Sequence, residues 1–321
     1  MTDAAHITPE TRTAPPPAVT IVLPCGNDAE TILDTLESLS LQTFTDWEAI
    51  CVDDGATDGT PVLIATAAQH DPRIRLLRNP GQGLAMARNS AGLDHARGGL
   101  VAFCAPGDLW QADKLARLVQ ILADPAIDAA YGRVGLFAHT PADTRGHSPV
   151  AGGDLTIDRL LGDNPVCSLS NLTLRREVLA RSYGFDTTIP GGGDLEWMVR
   201  LVGGGARVVG DAALHGWCRA CADDLAATPD NSNENRRRAI ETAACFGVTP
   251  SLRSRARHRR HLAHRAHRLG LGRAVTLHHA VIGMLCSPVG FLGPLRPPAP
   301  GAIPARRPRP GRAGSSACLS S

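Results

Sequence analysis

Adjacent carboxylates at Asp53 and Asp54 end the apolar run Ala49-Ile50-Cys51-Val52 and open the loop Gly55-Ala56-Thr57-Asp58-Gly59. Carboxylates at the carboxyl end of a strand can accept hydrogen bonds from a base imide or a ribose hydroxyl, as acidic residues do in dinucleotide-binding folds. Asp58 reads as the cap of the next helix. Asp108 lies just past Pro106-Gly107, where it reads as a turn or helix-start residue. Asp194 follows three glycines and opens a helix, so an N-capping role is open to it. Three other patterns do not develop into sites. Gly81-Gln82-Gly83 is too short for a dinucleotide fingerprint, and no nucleophile elbow surrounds any serine. His215-x-x-Cys218-x-x-Cys221 lacks the fourth ligand that a structural zinc requires.

These residues need a scaffold, and the hydrophobic periodicity supplies one. Val19-Thr20-Ile21-Val22-Leu23 reads as a strand and 29–41 as a helix with Ile32, Leu33, Leu36 and Leu39 on one face. The unit recurs as strand 48–52 and helix 61–70, strand 74–77 and helix 84–96, then strand 100–103 and helix 112–122. Near-continuous apolar strands separated by amphipathic helices predict a parallel sheet covered on both faces, with ligands at its carboxyl edge. The chemistry is therefore expected after Val22, Val52 and Phe103. From about residue 129 the rhythm changes, to strands 131–137, 169–174, 206–209 and 213–220 with a helix at 194–202.

Four segments occur in order: Pro24-Cys25-Gly26-Asn27, Val52-Asp53-Asp54-Gly55, Ala87-Arg88-Asn89 and Phe103-Cys104-Ala105-Pro106-Gly107-Asp108-Leu109-Trp110. Together with Gly193-Asp194-Leu195-Glu196-Trp197-Met198-Val199-Arg200-Leu201, they resemble the inverting family 2 glycosyltransferases, over residues 19–226. The resemblance implies an α/β fold of the GT-A type, a Rossmann-like mixed, mainly parallel sheet that binds nucleotide-diphosphate sugars, carried here with a C-terminal helical extension. It implies that Pro24 and Asn27 flank the nucleotide, that Asp53 or Asp54 reads the base, often uracil, and that Arg88 belongs to the same pocket. An ion pair of Arg88 with Asp53 or Asp54 is the alternative.

By the same resemblance Asp108 belongs to a segment that holds a divalent cation, Mg or Mn, on the diphosphate, although Ala105 and Gly107 stand where two family aspartates belong. A hard cation can be held by one or two carboxylates together with substrate phosphates. Asp194 aligns with the base that takes the acceptor hydroxyl's proton, a role inversion requires. Arg219, Glu196 and Trp197 fall on the diphosphate and acceptor side. Glu196 lies about 200° around the helix from Asp194, so the two do not share a task. Gly193 replaces a family glutamate.

With 321 residues and 43% apolar content, the chain can bury a substantial core. Organisation is read as a lead-in at 1–17, a nucleotide-binding half at 18–125 and an acceptor half at 126–230. A helical basic extension at 231–293 and a Pro/Arg-rich tail at 294–321 complete it. Charge is divided unevenly: thirteen arginines lie from Arg253 to Arg312, and no Asp or Glu follows Glu241. Over 253–273, Leu262, Ala266 and Leu269 make a narrow stripe bordered by arginines, followed by a mixed apolar stretch to Leu292. This pair can lie on an anionic membrane surface or pack on the acidic body. Without interleaved aromatics, nucleic acid is not an expected partner. The N-terminus lacks a secretory pattern and the nine cysteines form no disulfide framework, so a cytoplasmic location, or the inner membrane face, is expected.

Two functional readings remain open at this level. One is inverting transfer of a sugar from a nucleotide diphosphate, UDP above all, to a glycan or lipid-linked acceptor. The other is a non-catalytic binding or scaffold protein of the same fold, suggested by Ala105, Gly107 and Gly193.

Overall fold

The computed structural model describes residues 15–144, 146–219, 229–268 and 272–292. Most of the lead-in and the tail beyond 292 lie outside these residues, as do Ala220, Cys221 and Leu269. The first half alternates as expected: β1 (Val19–Cys25), α1 (Ile32–Ser40), β2 (Trp47–Asp53), α2 (Thr60–His70), β3 (Ile74–Arg78), α3 (Leu84–Asn89), β4 (Leu100–Phe103), β5 (Leu109–Trp110) and α4 (Lys114–Ile121). The second half contributes β6 (Ala129–Phe137), β7 (Gly146–His147), α5 (Ile157–Asp163), β8 (Leu172–Arg175), α6 (Arg176–Arg181), α7 (Asp194–Gly203) and β9 (Val208–Arg219). Four helices follow: α8 (Pro229–Cys245), α9 (Leu252–Arg268), α10 (Arg273–Cys286) and α11 (Pro288–Leu292).

All nine strands join one mixed sheet in the order β3-β2-β1-β4-β8-β6-β9-β5, with β7 on β6. Strands β3, β2, β1 and β4 are parallel, and β8 returns antiparallel on β4. Because the chain moves outward from β1 to β2 and β3 before crossing to β4, the order reverses between β1 and β4. Loops on either side of such a switch point part and leave a crevice.

Strand alternation divides the core. Val22, Ile50, Val52, Val101 and Phe103 face one side, where they pack with Leu179, Trp197 and Val199. Ile21, Leu23, Ala49, Cys51 and Ala102 face the other, against Ile32, Leu36, Leu39 and Ile64. Pro24 sits inside β1 at low cost. The Cys25 carbonyl faces β2 and the Val22 carbonyl faces β4, so Pro24 turns its missing N–H toward β4, whose pairing ends at Phe103.

Three local expectations change. The helix expected over 84–96 is an α-helix only to Asn89 and continues as a wider π turn over Ser90–His95. There Gly92 lets the backbone reach Leu179: a Cβ would lie 2.8 Å from that side chain. Leu169–Asn171 is a single helical turn rather than the start of a strand. The two strands expected at 206–209 and 213–220 are one, β9, with a bulge against β6 where Asp211 accepts from the Ala213 amide.

The C-terminal helices close over the body. Phe246, just beyond α8, lies on Gly203, where a Cβ would meet its ring at 2.5 Å. Helix α9 docks on α5 through Arg260 to Asp163 (3.3 Å), while Ser251 ahead of it donates to Asp158 (2.8 Å). Its small apolar residues Ala263 and Ala266 are buried, so that side of α9 packs on protein, with Leu262 of the expected stripe half-buried.

Candidate functional site

The loops after β1, β2 and β4 meet at the carboxyl edge. Asn27 leaves β1 and its Oδ1 accepts from the Thr57 amide (2.7 Å), which clips the first loop to the second. Asp58 accepts from the Ala29 amide (3.1 Å) and the Thr60 amide (2.9 Å), so it holds the turn ahead of α2, whose N-cap is Gly59 and not the expected Asp58. Asp53 Oδ1 takes the amides of Gly55 and Ala56 at 3.1 and 2.8 Å, and Gly55 turns at φ +83. Asp54 points elsewhere. It accepts from Asn79 Nδ2 (2.7 Å) and from the Gly83 amide (2.8 Å) at the start of α3. Pro24, Asn27, Asp53 and Asp54 are thus brought together, and Asp54 ties their loop to α3.

One turn into α3, Arg88 reaches across to Asp194 at the start of α7. Nη1 bonds one carboxylate oxygen and Nη2 lies 3.4 Å from the other. The guanidinium also lies 5.2 Å from the centroid of the Phe185 ring. This corrects the alternative of an ion pair with Asp53 or Asp54: Arg88's partner is Asp194. Gly193 is the N-cap and Asp194 the first helical residue, so the carboxylate is spent on Arg88 rather than on its own helix. The glycines explain the approach. Gly191, Gly192 and Gly193 all have positive φ, and a Cβ on Gly192 would fall 2.5 Å from Arg88 Nη1. Asn89 braces the same corner by bonding both the amide and the carbonyl of Phe185 at 2.8 Å.

Glu196 and Trp197 do not face this carboxylate. Glu196 is buried, pairs with Arg200 (2.7 Å) and accepts from Thr242 of α8 (3.1 Å). Trp197 is fully buried against Phe103 and Phe185 and donates to Ser182 (2.9 Å). Both support α7 from behind.

After β4, the segment 104–108 is fixed on every side. Ser170 Oγ accepts from the Ala105 amide (2.8 Å), and Thr35 Oγ1 accepts from the Gly107 amide (2.8 Å) and donates to the Asp108 carbonyl (3.0 Å). Asp108 is buried, and its Oδ1 accepts from the Arg219 amide (2.8 Å). The Arg219 guanidinium donates to the Gly107 carbonyl (3.1 Å), the His139 carbonyl (3.1 Å) and Asp34 (3.3 Å), and lies 4.7 Å from the Phe137 ring centroid. Gly107 has φ +87, and a Cβ there would lie 3.3 Å from Arg219 Cδ and Nε. An aspartate at 107 would meet both a disfavoured backbone and this arginine.

That arrangement does not fit a protein-held Mg or Mn. Asp108 is the single carboxylate of the segment, one of its oxygens accepts from Arg219, and Arg219 fills the space beside Gly107. Among the described residues no group of three or more His, Cys, Asp and Glu could hold a metal ion. His215 is fully buried over Gly132, with Nε2 2.9 Å from Asp211, and burial lowers its pKa.

Several residues of the site carried no signal of their own in the sequence. Lys114 is fully buried at the start of α4, donates to the Ser170 carbonyl and lies 3.8 Å from the Trp110 ring centroid. Burial lowers its pKa to about 8, with Cys104, Cys218 and Asp108 close enough to oppose that shift. Its being the chain's only lysine was the one clue. Asn79, Thr35 and Ser170 hold the loops by contacts that come from distant parts of the chain.

Three kinds of comparison bear on the family and the fold. The profile of glycosyl transferase family 2 matches residues 20–182. The putative teichuronic acid biosynthesis glycosyltransferase TuaG of Bacillus subtilis is 32% identical over 164 residues, covering 50% of this chain and 63% of that protein. An Escherichia coli UDP-Glc:alpha-D-GlcNAc-diphosphoundecaprenol beta-1,3-glucosyltransferase, WfgD, is 35% identical over 115 residues, 36% of this chain and 44% of its own. The chain thus spans less than two thirds of these relatives. Staphylococcus aureus TarS 1–349 in complex with UDP superposes with a TM-score of 0.53 at 13% identity, over 83% of this chain and 90% of that one. The mannosyltransferase PcManGT of Pyrobaculum calidifontis, in complex with GDP-Man and Mn2+, gives 0.52 at 21% identity, over 86% and 87%. The architecture is that of the GT-A glycosyltransferases, and the chain belongs to glycosyl transferase family 2.

Proposed function

We propose that this chain transfers a sugar from a nucleotide diphosphate sugar, a UDP sugar first of all, to a hydroxyl of a glycan or lipid-linked acceptor, with inversion, in cell-envelope polysaccharide synthesis. The observation that carries the reading is the Arg88–Asp194 pair, which aims a partly exposed carboxylate from the start of α7 while Asp54 fixes the other end of α3. Asp53 and Asp54 serve the nucleoside, with Pro24 and Asn27 at its rim. Asp194 takes the acceptor hydroxyl's proton as that oxygen bonds the anomeric carbon, and the bond from that carbon to the diphosphate oxygen breaks on the opposite face. Arg219, anchored beside Asp108, offsets the charge that develops on the departing nucleoside diphosphate. Support for the donor comes from TarS, solved with UDP and with UDP-GlcNAc, and for the acceptor from the diphosphoundecaprenol in the name of WfgD.

A second reading, nucleotide binding without turnover, is favoured by the engagement of Asp108 and Arg219 with each other. Calorimetry with UDP and GDP, followed by a screen of nucleotide sugars for nucleotide release with lipid-linked acceptors, separates the two. Release that depends on acceptor supports transfer. Binding with no release for any donor supports the second reading, and absence of nucleotide binding removes the site assignment.

A further inference from the structure

Helices α10 and α11 leave an apolar face uncovered. On α10 the exposed residues Leu277, Val281, Met284 and Leu285 fall at helical spacing, and Val289 and Leu292 of α11 extend the row. These are not grazing exposures: Leu277 is 63%, Leu285 81% and Leu292 68% accessible. The opposite side is the packed one. His279 meets Arg259 of α9 at 3.0 Å, and Gly283 lies under Phe291, where a Cβ would come within 2.2 Å of the ring. Packing on α9 and α11 therefore fixes which face of α10 points outward, and that face is aliphatic. An exposed aliphatic row of this kind marks an interaction surface.

Charge selects the partner. Arg273 opens α10 and is exposed. Arg253 is exposed as well and borders α11, its Cα 3.1 Å from where a Gly290 Cβ would lie. The residues past Leu292 add Arg296, Arg306, Arg307, Arg309 and Arg312, and no Asp or Glu occurs anywhere beyond Glu241. Aliphatic side chains bordered by Arg253 and Arg273, in a chain segment without acidic residues, match the boundary between anionic headgroups and acyl chains. No described helix is long and apolar enough to cross a membrane.

We propose that the face made by Leu277, Val281, Met284, Leu285, Val289 and Leu292 docks on an anionic lipid bilayer surface, with the flanking arginines on the headgroups. The face belongs to the apolar stretch ending at Leu292 that the sequence already offered to a membrane surface, whereas Ala266 of the preceding stripe is turned onto the protein. The contact does not depend on sugar transfer, and either property can fail without the other.

The test is flotation of the full chain with vesicles of phosphatidylcholine alone or with about one third phosphatidylglycerol. Wild type should partition at least about tenfold more strongly onto the anionic vesicles and be released by about 0.5 M salt. Leu277→Ser/Val281→Ser/Leu285→Ser should lose about tenfold or more of that partitioning at unchanged thermal midpoint, since three exposed aliphatic side chains no longer enter the acyl boundary. As a second variant, Leu285→Trp should shift its emission to the blue on anionic vesicles. Wild type that stays in the buffer, a triple variant that floats like wild type, or a Leu285→Trp emission unmoved by vesicles would each overturn the proposal. So would a wild-type dimer that the triple variant converts to monomer without loss of vesicle binding, since a second copy would then own this face.

Discussion

Arg88 is a positioning residue in this account, and two unrelated substitutions should reproduce the same defect. Arg88→Met removes the guanidinium outright. Gly192→Ala leaves it in place but puts a Cβ 2.5 Å from Nη1, at a φ of +93, so Arg88 must withdraw from Asp194. The gross attraction of a pair in contact at an effective dielectric near 20 is about 5 kcal/mol. Desolvation returns much of it. With Arg88 11% and Asp194 32% exposed at the side chain, the net loss should be about 1–3 kcal/mol. Positive φ adds about 1–2 kcal/mol for the alanine variant. If that energy holds the base in place, kcat falls about 10- to 100-fold in both variants. Affinity for UDP should move by less than about twofold, since Arg88 is paired with Asp194 and not with Asp53 or Asp54. Steady-state rates of nucleotide release, with UDP affinity by calorimetry and a thermal midpoint for folding, measure each quantity separately. A kcat within about twofold of wild type in either folded variant would refute the positioning role. A loss of UDP affinity as large as the loss of kcat would return Arg88 to the nucleotide pocket.

Lys114 gives a pH prediction with a defined sign. Its folded pKa of about 8 lies below the unfolded value of about 10.4, so between these the unfolded chain binds more protons and this group's contribution to stability rises with pH. Buried thiols such as Cys104 act oppositely but are common to both proteins, so urea unfolding of wild type and Lys114→Met isolates the lysine. From pH about 7.5 to about 10.5 the difference should move by about 3 kcal/mol in favour of wild type, and a constant difference would mean the ammonium is hydrated. For the diphosphate, UDP affinity should change by less than about twofold on chelation with EDTA, whereas a tenfold loss restored by Mn2+ would require a cation at Asp108. Gly107→Asp should fail to create a Mn2+ requirement and should lower stability by about 1–3 kcal/mol, because its side chain meets Arg219 at a positive φ.

The sheet was legible because its strands are short apolar runs closed by Pro, Gly and Asp, and the loops at their ends held the residues of the resemblance. Carboxylate positions were readable for the same reason: Asp53, Asp54 and Asp194 sit where a strand ends or a helix starts, whereas Asp108 stands just ahead of β5 and not at the helix start expected for it. Their partners were not. Arg88 and Asp194 are separated by more than a hundred positions, and only the turn of three glycines brings α7 against α3. Glu196 and Trp197 share a helix with Asp194, yet periodicity alone did not show which face α8 and Phe185 would cover. Lys114 looked incidental, since nothing local shows that a lysine at a helix start lies beneath the 104–108 segment. The sequence left the basic helix either on a membrane or on the acidic body, and burial of Ala263 and Ala266 with the Arg260–Asp163 pair on α5 selects the body for α9.

The most direct test replaces the proposed base while leaving its shape, by comparing Asp194→Asn with wild type in UDP calorimetry and in transfer from the donor that the screen identifies. UDP affinity within about twofold of wild type, with transfer reduced at least about a thousandfold, is the predicted result. Transfer retained within about tenfold, in a folded protein that still binds UDP, would contradict the assignment of Asp194 as base and with it the proposed mechanism.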